Sequence, residues 1–197
     1  DTENAFSVTA CVKYCEALRE QFGKGFVSMI PCNLYGPGDR YETGESRLIP
    51  KLILKMALAK ENGDQTVAFS EDGDKEVEFL YCDDLATACI RVMNDDGGYP
   101  ILNVGFGQAI SIRNLADMIA AIVGFRGRIE WGTLGRKGSS RGLLDCSRIT
   151  SLGWVPSICI EDGVRKTVKD FMERLRWKSR LEGETGRDKE NADFSGK

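Results

Sequence analysis

Few residues in this chain have the types and spacing that chemistry needs. There is no histidine among the 197 residues, which removes the side chain that titrates nearest neutral pH. None of the five tyrosines, Tyr14, Tyr35, Tyr41, Tyr81 and Tyr99, has a lysine four residues later. That spacing would put a phenol and an ammonium on one helical face, where the cation lowers the phenol's pKa. Asp83-Asp84 has the look of an acid pair, but it stands where a strand turns into a helix. Carboxylates there accept orphan N–H groups and suit the helix dipole, so capping is the expected role. Cys11 and Cys15 are one helical turn apart, yet no histidine or second close cysteine pair completes a zinc set. Gly105-Phe106-Gly107 lacks a third glycine and follows a late strand, so it reads as a turn. No Gly-x-Gly-x-x-Gly opens a first strand-to-helix turn, so the dinucleotide fingerprint is absent.

What remains is one loop with a defined shape. Phe26 to Ile30 reads as a short apolar strand that runs into Pro31-Cys32-Asn33-Leu34-Tyr35-Gly36-Pro37. Proline fixes φ and removes a donor, while glycine allows positive φ, so the loop is held to one conformation. A rigid loop at the carboxyl end of a strand is where open α/β sheets bind ligands. Asn33 is its polar residue, and one reading has its amide bonding its own loop backbone.

The elements around this loop alternate between helix and strand. Val8, Cys11, Val12, Cys15, Leu18 and Phe22 follow the i, i+3, i+4 rule and predict an amphipathic helix from about residue 5 to 22. Leu48 to Lys60 predicts a second helix with Pro50 tolerated in its first turn. Short strands are expected at Thr66–Phe69, Glu76–Tyr81, Ile101–Val104, Ile110–Ile112 and Arg128–Trp131. A helix follows Asp83-Asp84 to about Met93, and another spans Ile112–Val123 with Ser111 as its cap. Gly132–Arg141 reads as a Gly/Lys/Arg/Ser loop, and Ile160–Trp177 as a last amphipathic helix. From Lys178 the composition turns charged and glycine-rich, which predicts a disordered tail over 178–197. This alternation indicates α/β architecture, and no internal repeat is visible.

Composition narrows the class. Apolar residues make up 42% and charged residues 29%, ordinary for a globular protein with a proper core. The net charge of −3 and pI near 5.2 argue against a dominant nucleic-acid surface. No apolar run approaches the roughly 20 residues a membrane span needs. Seven cysteines, an odd number set mostly in apolar-periodic segments, read as reduced thiols packed in a core. That places the chain in the cytoplasm or another reducing compartment. The chain begins at Asp1 with no charged-then-apolar signal segment, and the sequence leaves open whether it belongs to something longer.

Two segments carry a resemblance: Met29-Ile30-Pro31-Cys32-Asn33-Leu34-Tyr35-Gly36-Pro37 and Glu78-Phe79-Leu80-Tyr81-Cys82-Asp83-Asp84-Leu85-Ala86. Together they resemble the extended short-chain dehydrogenase/reductases that act on nucleotide sugars, the NAD-dependent epimerase/dehydratase family, and among them the epimerase/reductases of GDP-linked keto sugars. The resemblance covers about residues 5 to 175. It implies the carboxyl-terminal part of an extended Rossmann-like fold: the last Rossmann helix and strand plus a small α/β substrate lobe, together 1–177.

The family likeness implies roles for particular residues. Pro31 and Leu34 would lie beside the nicotinamide of NADP, the family's cofactor, and the Asn33 amide would reach the sugar nucleotide's diphosphate. Gly138-Ser139-Ser140-Arg141-Gly142-Leu143-Leu144-Asp145 resembles a family segment whose arginine forks onto that diphosphate. Arg141 takes that role here, with Arg136 and Lys137 as extra cations, and Asp145 would accept from a ribose hydroxyl. The bland alternative is a solvated basic loop.

The same comparison marks losses. Cys32 stands where the family has Thr, Gly38 where it has the acid/base His, and Asn4 and Val8 where it has the Tyr and Lys. Val77 replaces a second diphosphate arginine, and Glu71, Asp72, Asp74 and Glu76 bring negative charge to the same region. The expectation is a nucleotide-sugar-binding part that is not catalytic alone and does not bind NADP alone. A missing Rossmann half, a second copy or another subunit would be its protein partner. The alternative is a pseudoenzyme kept as a structural or interaction subunit.

Overall fold

A computed structural model of the chain describes residues 2–41, 47–95, 97–132 and 143–175. Its elements are α1 (Thr2–Phe22), β1 (Ser28–Pro31), β2 (Asn33–Tyr35), α2 (Leu48–Asn62), β3 (Thr66–Phe69), β4 (Glu76–Tyr81), α3 (Cys82–Asn94), β5 (Ile101–Val104), β6 (Ala109–Ser111), α4 (Ile112–Val123), β7 (Arg128–Trp131) and α5 (Ser147–Ser151). A last helix, α6, spans residues 160–175.

The strands form parallel pairs with one antiparallel addition. β1 runs parallel to β5, from Ser28 opposite Ile101 to Pro31 opposite Val104. β2 runs parallel to β4, with Asn33 opposite Phe79 and Tyr35 opposite Tyr81. β6 joins the far side of β4 in antiparallel register, and β3 pairs in parallel with β7. Parallel strands covered on both faces read as continuous apolar runs, and Phe79, Leu80 and Tyr81 are all buried.

The loop read from the sequence is in part a strand. The strand expected at Phe26–Ile30 starts at Ser28, and Phe26 is left 42% exposed. Pairing does not stop at Pro31, because the Cys32 N–H still donates to Val104 O at 2.9 Å. One residue on, the chain leaves β5 and takes β4 as its new neighbour. Asn33–Tyr35 was expected as loop because proline and glycine flank it, but β4 supplies a ladder for it. Gly36 then passes so close to Cys82 that any Cβ would run into the thiol.

Two apolar clusters hold the fold. The first gathers Ile49, Leu52, Ile53 and Met56 of α2, Leu115 and Ile119 of α4, and Val164, Val168 and Phe171 of α6. The second gathers Ala88 and Val92 of α3, Leu102 and Val104 of β5, Ile149 of α5 and Trp154. Leu52 is fully buried, and each such side chain contributes about 1.5–3 kcal/mol. Helix ends follow local chemistry. Ser111 Oγ accepts from the Asn114 N–H to start α4, as its position predicted, and Gly63 and Gly124 close α2 and α4 in left-handed conformation.

Three expectations are corrected by the packing. The α1 stripe is only partly covered: Val8 is 55% and Phe22 57% exposed, Val12, Cys15 and Leu18 are half-buried, and none of the described α1 side chains joins either cluster. The cysteines are free thiols, but none of the seven is fully buried; Cys11 and Cys159 are exposed and the rest half-buried. Asp84 does not cap α3, whose N-cap is Tyr81 without a side-chain bond. It is instead buried and accepts from the Ser157 N–H (3.0 Å), the Ser157 hydroxyl (2.8 Å) and the Ile158 N–H (3.0 Å). Three donors from a distant segment satisfy the carboxylate better than one helix end could.

Candidate functional site

The change of neighbour at Cys32 opens a cleft. One strand cannot pair with β5 and β4 at the same level, so a crevice forms where it passes from one to the other, the kind of place where α/β sheets take ligands. Its larger chamber measures about 570 Å³ and is lined by Asn33, Leu34, Arg47, Lys51, Lys75 and Val77, among others. The first turn of α2, Leu48 to Pro50, forms one wall. That turn carries no acidic residue, so its orphan N–H groups and positive dipole end are not neutralised from within.

Among the described residues, three cations border this chamber. Arg47 donates to Leu34 O at 3.4 Å, tying the start of α2 to β2. Lys51 is ion-paired with Glu71. Burial alone would push the Glu71 carboxyl up, but the hydrogen bond from Lys51 and the charges of Lys51 and Lys55 outweigh it and hold it below its ordinary value. Lys75 is half-buried beside Val77. The acidic segment is thus less repulsive than its composition implied, because Glu71 is paired with Lys51 and Asp74 with Arg113 at 3.0 Å.

A second chamber of about 400 Å³ adjoins the first. It shares Pro31, Cys32, Asn33, Lys75 and Val77 with it and adds Ile30, Glu76, Glu78 and Leu144. Glu78 is 7% exposed, and its carboxylate accepts from the Gly107 N–H at 2.7 Å and the Leu144 N–H at 3.1 Å. One buried acid so fixes the β5–β6 connection and the segment entering α5. Burial, aided by the charge of Glu78, pushes the Cys32 thiol up to about 12, so Cys32 is a neutral thiol here, not a nucleophile.

Asn33, Pro31 and Leu34 therefore meet in one cleft. The Asn33 amide donates to Glu78 O at 2.9 Å, a bond across to β4 and not to its own turn. Asp145 is elsewhere. It lines a separate cavity of about 200 Å³ with Ile101, Asn103 and Arg148. Its carboxylate accepts from the Ser147 N–H at 3.0 Å, and that bond and the Ser147 hydroxyl hold the group below its ordinary value. Asp145 stands just before α5, a helix the sequence reading did not anticipate, and lines neither chamber, although its neighbour Leu144 lines the smaller one. Arg141, Arg136 and Lys137 lie outside the described residues.

The lost positions are also accounted for. Val8 lies on α1 more than half exposed, and Asn4 precedes it in the same helix. Gly38 adopts φ +88°, a conformation that favours glycine, and its N–H donates to Asp170 of α6 at 3.1 Å. Tyr35, which is buried, and Tyr41, which is half-buried, hold the fold. The Tyr35 hydroxyl donates to Ile160 O, Tyr41 to Thr167 O, and burial raises the pKa of both. Arg47, Lys51, Lys75 and Glu78 were not singled out from sequence. Only Lys75 left a signal, since it stands two residues before Val77 and so on the same face of an extended chain.

Comparison with known proteins places this arrangement. Residues 4–105 match the family described as NAD dependent epimerase/dehydratase. GDP-L-fucose synthase 1 of Arabidopsis thaliana is 36% identical over 171 residues, 87% of this chain and 53% of that protein. GDP-L-fucose synthase of Escherichia coli K12 is 35% identical over 178 residues, 86% of this chain and 56% of that protein. The crystal structure of a GDP-D-glycero-L-gluco-heptose synthase from Campylobacter jejuni in the presence of NADPH superposes with a TM-score of 0.71 at 28% identity, over 84% of this chain and 58% of that one.

The chain belongs to the NAD dependent epimerase/dehydratase family. Its relatives by sequence include GDP-L-fucose synthases, and it spans about half the length of those it matches. The fold class is the expected one, mixed α/β with parallel strand pairs as in Rossmann-like short-chain dehydrogenase/reductases. Half a relative's length is what the carboxyl-terminal part of that fold would occupy.

Proposed function

We propose that this chain is the nucleotide-sugar-binding part of a GDP-L-fucose-synthase-like protein, and that it binds a GDP-linked sugar without turning it over. The observation that supports this most directly is the two-chambered cleft at the β5-to-β4 switch, with Asn33 at its centre and Arg47, Lys51 and Lys75 around it. Arg141 would add a forked contact from the loop after β7.

Turnover is not expected, because the acid–base set is absent. Gly38 offers no side chain, Val8 no charge, and the Tyr35 and Tyr41 hydroxyls bond backbone carbonyls. NADP is the family's cofactor, but the residues present do not fit it. No glycine-rich strand-to-helix turn is in the sequence, and Val8 cannot hold a ribose. An amino-terminal Rossmann half would supply that site, and β1, paired on one edge only among the described residues, is where its sheet would continue. The exposed Phe6, Val8 and Phe22 on α1 suit a second copy or such a half. The free thiols suit the cytoplasm or another reducing compartment. Residues 1–177 would form this lobe; the tail expected over 178–197 lies outside the described residues.

A second reading is a pseudoenzyme that serves as an interaction subunit, favoured by the replaced Gly38 and Val8. A thermal-shift titration with GDP, GDP-mannose, UDP-glucose and NADPH separates the two. Ligand binding to the folded chain raises the midpoint by mass action. The expected result is a shift with the guanine nucleotides, none with NADPH, and a smaller one in Arg141→Ala. A folded sample that shifts with no nucleotide leaves the interaction subunit as the account.

A further inference from the structure

The two chambers meet at a waist made by Pro31, Cys32, Asn33, Lys75 and Val77. A nucleotide sugar has the same plan: two bulky groups joined by a doubly anionic bridge. Building on the proposed function, we infer that Lys75 holds the diphosphate at this waist, standing in for the charge that Val77 does not carry.

Three observations support this. First, among the described residues Lys75 is the only charged residue of the waist; the others are apolar, apart from the Asn33 amide and the neutral Cys32 thiol. Second, its base is fixed. The Lys75 N–H donates to Asp72 O at 3.2 Å, and its carbonyl accepts from the Ile112 N–H at 3.0 Å, which continues the β4–β6 ladder by one residue. Lys75 and Val77 thus stand on the same face of one extended segment, one pleat apart. A long side chain at 75 reaches the place that a long side chain at 77 would serve. Third, the other cations of the cleft are engaged: Lys51 with Glu71 and Arg47 with Leu34 O. Among the described residues the Lys75 ammonium has no ion pair or hydrogen bond, although the residue is half-buried. A cation in a cleft without a counterion favours an anionic ligand.

The waist also orders the ligand. The larger chamber, with the α2 terminus and Phe79, takes the nucleoside. The smaller, with Glu76 on its wall as a hydroxyl acceptor, takes the sugar.

The test is isothermal titration of the full chain with GDP and with guanosine. The wild type should bind GDP more tightly than guanosine. Lys75→Met should weaken GDP about tenfold, the size of one charge-assisted contact, and leave guanosine unchanged. Adding Val77→Arg to Lys75→Met should restore GDP affinity. Unchanged GDP affinity in Lys75→Met overturns the role of Lys75 and leaves the nucleotide site standing. An equal loss for GDP and guanosine overturns it too, since it marks a collapsed cleft. A wild type that binds neither overturns both readings.

Discussion

At the scale of single residues, the site is defined as much by what backbone and carbonyls already hold as by which side chains are present. Gly38 shows this. Its φ of +88° and its N–H bond to Asp170 fit a glycine, and a side chain there would point towards Arg174 of α6. Putting back the histidine that the family likeness implies, Gly38→His, should therefore not create an acid–base catalyst. It should cost about 1–2 kcal/mol from the left-handed backbone alone, read as a lower urea midpoint, with no NADPH oxidation in the presence of a GDP-linked keto sugar. Glu78 makes the same point from the other side. In the sequence it is one acid in a run of five; in the fold it is the buried acceptor that sets Gly107 and Leu144.

At the scale of elements, the sequence disclosed helices better than it disclosed partners. The α4 cap at Ser111 and the apolar stripe of α2 were legible because both depend on residues within a turn or two of each other. The strand at Asn33–Tyr35 was not, since its ladder comes from Phe79–Tyr81, more than forty residues on, and its flanking proline and glycine say loop. Asp84 was misread for the same reason: its donors are Ser157 and Ile158, 73 and 74 residues away. The α1 stripe had the spacing of a buried face, but periodicity says which residues share a face and not whether anything covers it. Asp84→Ala should be among the costly single changes in α3, because it removes the buried acceptor of two backbone donors and a hydroxyl. A loss of about 3 kcal/mol is expected, with Asp84→Asn recovering part of it, measured by chemical denaturation.

For the molecule as a whole, the half-buried thiols and the buried and half-buried phenols set a limit at high pH. Burial raises Cys32 from an ordinary 9.0 to about 12, and raises Cys146 as well. Groups whose folded pKa exceeds the unfolded one contribute stability that is complete below the unfolded value and is lost as pH rises through the folded one. Thermal midpoints should therefore hold up to about pH 9 and fall steadily between pH 9 and 12. A flat midpoint across that window would mean that Cys32 is not buried as described. At neutral pH an alkylating reagent should label the exposed Cys11 and Cys159 well before Cys32.

Asp84 has a wider consequence. It stands on α3, whose buried face belongs to one apolar cluster, and it grips Ser157 and Ile158, where the chain crosses towards the other. Thr87 and Arg91, one and two turns further along α3, take hold of Trp154 and Leu152 just before that crossing. The join between the clusters is therefore a row of stitches from one helix and not a flexible strap. Neither cluster can loosen far without tugging on the other, so the lobe should yield as one piece, and a ligand that tightens the cleft would be felt on the far side of the seam.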